Sequence, residues 1–382
     1  MAFVSSSILR LTLVNIKGLT QLHGEVLQHL GAVEYLSIKE CDELRYLWES
    51  KLEACKSLVS LWDLKVDSYE KLVSEAEEEV NLGIGLKSIR DVVLYNCPRL
   101  DIYNCSNSIE KLLISNCHSV TSLTFPTVHN LPFTLKILDI TSSGKLEMSW
   151  LLNNFLSSLE SLSLDNIPNL MSFPEGCLVH LTRLTICGCD NIESIPDNGL
   201  GFLPHLCLTY IHIANCKNLK SFPHQHLQSL TYLEELWMSD CPSMDYSFPC
   251  GLWPSNLSTL VIGGLKKPMS EWGVQNFPTS LVKLWLGGKS SRLVSFAKAE
   301  EDVRSRSNRN TSFLLPSSLT FLQIRDFVEL ESLSEGLQHL TCLKELFYSV
   351  MHEALRSASD IASLSFTFGG EVLPEIGKKV SE

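Results

Sequence analysis

Apolar residues recur along the chain at offsets 0, 3, 5 and 8 of a short unit, with polar or small residues between them. In LTRLTICGC the four places are Leu181, Leu184, Ile186 and Cys189. The same spacing begins at Val33 (VEYLSIKEC), Ile89 (IRDVVLYNC), Ile109 (IEKLLISNC), Leu208 (LTYIHIANC) and Leu233 (LEELWMSDC). Looser copies begin at Ile8, Leu61, Leu135, Leu159, Leu257, Leu281, Leu319 and Leu343. These fourteen starts lie about 26 residues apart on average, a period that belongs to stacked repeats. A second half-unit recurs behind the first, as NLMSFP (169–174), NIESIP (191–196) and NLKSFP (218–223).

The spacing predicts a short strand in every copy. Side chains alternate along a strand, so offsets 3 and 5 share one face while offsets 2, 4 and 6 take the other. Offsets 0 and 8 and the later apolar residues close a coil around the same core. One coil cannot bury its apolar edge alone, whereas stacked neighbours bury it continuously. The proline of the second half-unit removes a backbone donor and stops a regular helix. The expected fold class is therefore an α/β leucine-rich-repeat solenoid, a horseshoe with a parallel concave sheet and a mostly loop or 3-10 convex side.

Interruptions divide the chain. The array is expected over residues 1–350, in about fourteen units. The acidic, helix-compatible stretch 69–86 lengthens one interval, and the polar stretch 297–312 reads as a disordered excursion from an outer loop. Residues 351–382 do not register and form an atypical non-repeat tail. The first copy starts at Ile8, which leaves no room for a polar cap, so the chain reads as an excerpt of a longer array.

Composition narrows the classes. No run of about 18 apolar residues occurs, so no membrane span is expected. The formal net charge of −12 speaks against a nucleic-acid partner, which needs a basic face. Thirteen cysteines, an odd count with no export signal, read as reduced thiols in the cytoplasm or nucleus. Six of them (Cys41, Cys97, Cys117, Cys189, Cys216 and Cys241) stand at offset 8. That offset elsewhere holds Ile16, Ile167, Leu265 or Phe327, so these cysteines are expected to be a structural ladder, not metal ligands. Cys187 falls at offset 6 and is expected to face away from Cys189. The histidines of PHQH (223–226) lack a matching ligand set. No G-x-S-x-G, H-E-x-x-H or paired C-x-x-C arrangement occurs, and GGKS at 287–290 has Lys283 where a phosphate-binding loop needs its first glycine. The chain is accordingly not expected to be an enzyme, and no cofactor, metal or small-molecule substrate is expected.

Written as L-x-x-L-x-I-x-x-C-x-x-L-x-S-[FIL]-P, the unit resembles the leucine-rich-repeat domain of plant coiled-coil nucleotide-binding disease-resistance proteins, truncated at its N-terminal side. ISNCHSVTSL, ICGCDNIESIPDNGL, IANCKNLKSFPHQHLQSLTYLEELWMSDCP and LESLSEGLQHLTCLKEL carry the likeness, which covers about residues 8–348. The resemblance implies an intracellular recognition module of an immune receptor. Its partners would be a pathogen effector, a guarded host protein or a nucleotide-binding domain. A stand-alone or relic repeat protein, or a substrate adaptor for ubiquitin ligation, are the alternatives.

The outward offsets carry the candidate binding residues. At offset 4 successive copies hold Thr185, His212, Trp237, Val261, Trp285, Gln323 and Phe347; at offset 2 they hold Arg183, Tyr210, Glu235, Thr259, Lys283 and Phe321. Stacking predicts an aromatic band of Tyr210, Trp237, Trp285 and Phe321, with His212 on the same face, edged by Arg183, Glu235 and Lys283. Such a band is either a protein-contact surface or a set of rings that only pack on one another, and the sequence leaves both readings open.

Overall fold

The computed structural model describes residues 7–47, 57–67, 71–72, 88–100, 102–124, 134–147, 158–173, 180–195, 207–273, 275–288, 315–328, 330, 337, 339–349, 367–368 and 371–372. Contacts divide the chain into two compact units, Met1–Leu208 and Thr209–Glu382. In the first unit β1 (Arg10–Val14), β2 (Tyr35–Lys39), β3 (Asp63–Asp67), β4 (Asp91–Tyr95), β6 (Lys111–Ser115), β8 (Ile137–Thr141), β9 (Ser161–Asp165) and β10 (Arg183–Cys187) pair in parallel, in that order. In the second unit the parallel order is β11 (Tyr210–Ala214), β12 (Glu235–Ser239), β13 (Thr259–Gly263), β14 (Lys283–Gly287), β15 (Phe321–Arg325) and β16 (Glu345–Ser349). Each of these fourteen strands occupies offsets 2 to 6 of one sequence copy, and the paired strands match offset for offset. The solenoid of parallel strands expected from the period is the fold.

The core follows the same register. Inward pairs such as Leu36 and Ile38, Leu112 and Ile114, Leu184 and Ile186, or Leu260 and Ile262 are buried, as are the offset-0 residues Val33, Ile109, Leu181 and Leu257. Full burial of each such side chain stabilises the fold by about 1.5–3 kcal/mol. The two terminal strands differ, each pairing with one strand among the described residues: Leu11 and Leu13 of β1, and Leu346 and Tyr348 of β16, are half-buried.

After eleven of the strands the chain turns away from the sheet at offset 7 through the left-handed region; Gly288, after β14, does not. Asn15, Glu40, Asn96, Asn116, Ser142, Asn166, Asn215, Asp240 and Asp326 have φ between 50° and 62°, and Gly188 and Gly264 have φ 59° and 60°. Side-chain-to-backbone bonding makes Asn and Asp the non-glycine residues that tolerate this region best. The corner N–H still bonds to the next strand, as from Asn116 to the Thr141 carbonyl at 3.0 Å and from Asn166 to the Cys187 carbonyl at 2.8 Å. Side chains continue the ladder: Asn96 Nδ2 donates to Asp67 Oδ1 (3.0 Å), and Asn116 Nδ2 to Asn96 Oδ1 (3.1 Å).

The outer side of the described residues holds little helix. It has one four-residue α-helix, α1 (Gly24–Leu27), and 3-10 turns at His224–Ser229 and Met269–Glu271. Two three-residue strands, β5 (Ile102–Asn104) and β7 (Ser122–Thr124), pair in parallel as a separate small sheet that the apolar pattern did not signal. Beyond the array, β17 (Thr367–Phe368) and β18 (Glu371–Val372) pair antiparallel. The excursion expected at 297–312, nearly all of the acidic stretch 69–86 and most of the tail 351–382 lie outside the described residues.

Candidate protein-binding surface

The outward residues of the second unit form a continuous file of rings across its strands. Tyr210 and His212 of β11 stand 6.3 Å apart between centroids, and His212 meets Trp237 of β12 at 5.4 Å. Trp237 stacks on Trp285 of β14 at 6.0 Å with an interplanar angle of 28°. Phe321 of β15 follows at 4.5 Å from Trp285, and Phe347 of β16 at 5.4 Å from Phe321.

The Trp237–Trp285 contact fixes how the indoles lie. Their strands are separated by β13, so two strand spacings, about 9.6 Å, part their backbones. Rings that meet at 6.0 Å must lean inward over β13. Val261 of β13 stands in register between them and is half-buried, while Thr259 and Gly263, at the neighbouring outward offsets, are buried. The rings thus pack on one another, and they also keep exposed surface: Tyr210, His212, Trp237, Trp285 and Phe321 are half-buried, and Phe347 is 50% exposed. Glu235 joins the file through its carboxylate, which accepts the Trp237 Nε1–H at 3.3 Å. Lys283 is exposed, in register between Thr259 and Phe321. Phe347 was visible in the offset-4 series, but the last copy's decayed spacing kept it out of the expected band. Arg183 belongs to the first unit, exposed on β10 in register with Ser161.

The solved structures that resemble this chain include a leucine-rich-repeat protein of Leptospira interrogans, with a TM-score of 0.50 at 16% identity, covering 90% of this chain and 84% of that one. They also include an internalin of Listeria monocytogenes, with a TM-score of 0.38 at 16% identity over 90% of this chain and 87% of that one. The chain has a leucine-rich-repeat fold. At these identities the likeness establishes the fold alone. No protein-family model matches the sequence, and no curated protein matches it either.

Leucine-rich-repeat solenoids present their strands' outward side chains as an extended surface for a protein partner. On the first unit that surface mixes charged residues with exposed apolar ones such as Trp62, Tyr95 and Ile137. At offset 1, Glu110 pairs with Arg90 (3.7 Å) and Lys136 (3.8 Å) across three rungs. Arg10 lies 4.4 Å and Lys65 5.2 Å from the Tyr35 ring centre, and Lys65 reaches Asp63 at 3.8 Å. Asp63 is almost fully buried and its Oδ1 has no hydrogen-bond partner. Burial pushes its carboxyl above the ordinary value; Lys65 opposes that, and Asp91 on the next strand adds to it. Burial likewise raises Asp139, against the hydroxyls of Ser163 and Thr141.

The six offset-8 cysteines are fully buried, and each has a bond beyond packing. The thiol donates to the carbonyl two residues back: Cys41 to Lys39, Cys117 to Ser115, Cys216 to Ala214 and Cys241 to Ser239 at 3.4 Å, Cys189 to Cys187 at 3.3 Å and Cys97 to Tyr95 at 3.2 Å. Ser143 makes the same contact to Thr141 at 3.5 Å. The weak S–H donor thereby adds a second contact to a carbonyl that, at Lys39, Ser115, Cys187 and Ser239, already accepts the preceding corner's N–H, while the sulfur fills the core. Cys187 is half-buried and Cys189 buried. Among the described residues, no group of three or more His, Cys, Asp or Glu is placed to hold a metal, and no helix is long and apolar enough to cross a membrane.

Proposed function

We propose that this chain is a non-enzymatic protein-recognition module of a plant intracellular immune receptor, which uses the outward face of its second unit to bind a protein partner. The observation that carries this reading is the file of six half-exposed or exposed rings, from Tyr210 to Phe347, on a rigid parallel sheet. Aromatic side chains on a fixed scaffold lose little conformational freedom on binding and dominate the energetics of protein interfaces. The partner class, a pathogen effector, a guarded host protein or a nucleotide-binding domain, follows from the likeness of the L-x-x-L-x-I-x-x-C unit to that receptor class. The cytoplasm or nucleus is the compartment that goes with it.

Trp237→Ala and Trp285→Ala test the reading. Each is expected to weaken binding of a co-expressed nucleotide-binding domain, or of the effector that engages the chain, by more than about tenfold. Circular dichroism should show the fold retained. Unchanged binding by both variants would remove the surface from the account.

A further inference from the structure

The ring file is uncharged along most of its length but carries a local charge at one rung. Across β11, β12 and β13 the outward and corner offsets hold no lysine or arginine: they are Thr209, Tyr210, His212, Ala214 and Asn215; Glu234, Glu235, Trp237, Ser239 and Asp240; and Ser258, Thr259, Val261, Gly263 and Gly264. The three carboxylates all belong to β12 and its corner. Glu234 and Asp240 are exposed, and Glu235 is half-buried with its carboxylate held beside the indole by the Trp237 Nε1–H bond. Among the described residues, no Lys or Arg forms an ion pair with Glu235. The next cation along the outward offsets is Lys283, two strands away.

Trp237 stacks on Trp285 and stays half-exposed, and an indole with a carboxylate fixed at its edge suits a cation. The ring's quadrupole and the carboxylate both attract a cation, and a guanidinium is planar enough to stack on the first while it hydrogen-bonds the second. Holding Glu235 in place removes part of the ordering cost of that contact. Beyond β12 the file continues through Trp285, Phe321 and Phe347, where the carboxylate before Glu345 is the corner residue Asp326, 3.4 Å from the Arg325 guanidinium. Three strand spacings, about 14 Å, separate β12 from β15, which an extended chain crosses in about four residues.

From this charge pattern we infer that the surface takes a protein segment with an arginine over Trp237 against Glu235, and an aromatic or large apolar residue about four positions away on Phe321. The inference rests on the proposed protein-binding role of this face and names the chemistry of the partner. A second aromatic patch on the partner would use the rings but leave the β12 carboxylates idle.

Capped peptides Ac-Xaa-Gly-Ser-Gly-Phe-amide, with Xaa as arginine, citrulline or glutamate, separate these outcomes by isothermal titration against the full chain. Citrulline keeps the shape of arginine without its charge. The arginine peptide is expected to bind about fivefold or more tighter than the citrulline peptide, the range of a cation–π contact with a carboxylate beside it. The glutamate peptide is expected to bind weakest. Glu235→Gln, which preserves size, should abolish the preference for arginine, and Trp237→Ala should weaken all three peptides. Equal binding of arginine and citrulline peptides, a preference that survives Glu235→Gln, or no binding of the arginine peptide at millimolar concentration each overturns the inference. If the preference is absent while Trp237→Ala still weakens the natural partner, the protein-binding face stands and only the arginine assignment falls.

Discussion

Gly263 and Gly287 face each other in register on β13 and β14, two positions beyond Val261 and Trp285, and they should respond very differently to the same substitution. A Cβ added at Gly263 would lie 2.5 Å from the Gly287 Cα and 2.8 Å from its N and O. Carbon atoms in contact sit about 3.5–4.0 Å apart, so Gly263→Ala forces the two rungs apart by about 1 Å at a point where both sides are backbone. That displacement strains the parallel pairing of β13 with β14 at this rung. Overpacking costs about 1–3 kcal/mol and a weakened ladder bond about 1 more. Restricting the unfolded chain returns about 0.4–1 kcal/mol. The expected net loss is about 2–3 kcal/mol. At Gly287 the added Cβ would meet the Gly263 Cα at 3.1 Å and nothing else closer than 3.7 Å, which a shift of a few tenths of an ångström relieves. Gly287→Ala should therefore be neutral to within about 1 kcal/mol. Urea unfolding followed by tryptophan emission compares the two midpoints, and hydrogen exchange at β13 and β14 locates the loosening. A Gly263→Ala midpoint equal to or above that of Gly287→Ala would refute the close approach of these rungs.

The corners and the buried groups give further expectations. Asn166 sits at φ 55°, so Asn166→Val should cost about 1–2 kcal/mol, whereas Asn166→Gly should stay within a few tenths because glycine enters this region freely; thermal unfolding reads both. In the native protein iodoacetamide should modify the exposed Cys207, Cys250 and Cys342 and spare the six offset-8 thiols until urea unfolds the chain, as peptide mass mapping would show. Asp63 has its folded-state pKa raised by burial, so the folded state holds that proton more tightly than the unfolded state does. Its contribution is fully present below the ordinary carboxylate pKa and is lost as pH rises through the raised value. Asp63→Asn should accordingly raise stability at pH 7 by about 1 kcal/mol and flatten the acid-side pH dependence; a midpoint that falls at pH 7 contradicts this.

Much of this molecule was legible in the spacing of its leucines. The offsets 0, 3, 5 and 8 are a direct imprint of a strand and its corner, so each start, from Ile8 to Leu343, marks a strand at its offsets 2 to 6. The outward offsets put the rings on one face, yet the rings meet across unequal offsets, Trp285 with Phe321 and Phe321 with Phe347. The lean of the two indoles over β13 was hidden, because the offsets give which residues share a face and not that Trp237 and Trp285 meet across Val261. The corner was hidden too: offset 7 looked like one more exposed position, although its Asn, Asp and Gly content was a readable sign of positive φ. The bond that each offset-8 cysteine makes could not be read from a position that equally accepts Ile16 or Phe327.

The central claim is that the ring file of the second unit is where a partner binds. With 5-fluorotryptophan incorporated into the full chain, fluorine NMR resolves Trp237 and Trp285 from Trp253 and Trp272, which are 5% exposed on the outer turns. On adding the nucleotide-binding domain or effector that binds the chain, the account predicts shifts at Trp237 and Trp285 and none at Trp253 and Trp272. Binding that leaves the first pair unmoved, or that moves only the second, would contradict it.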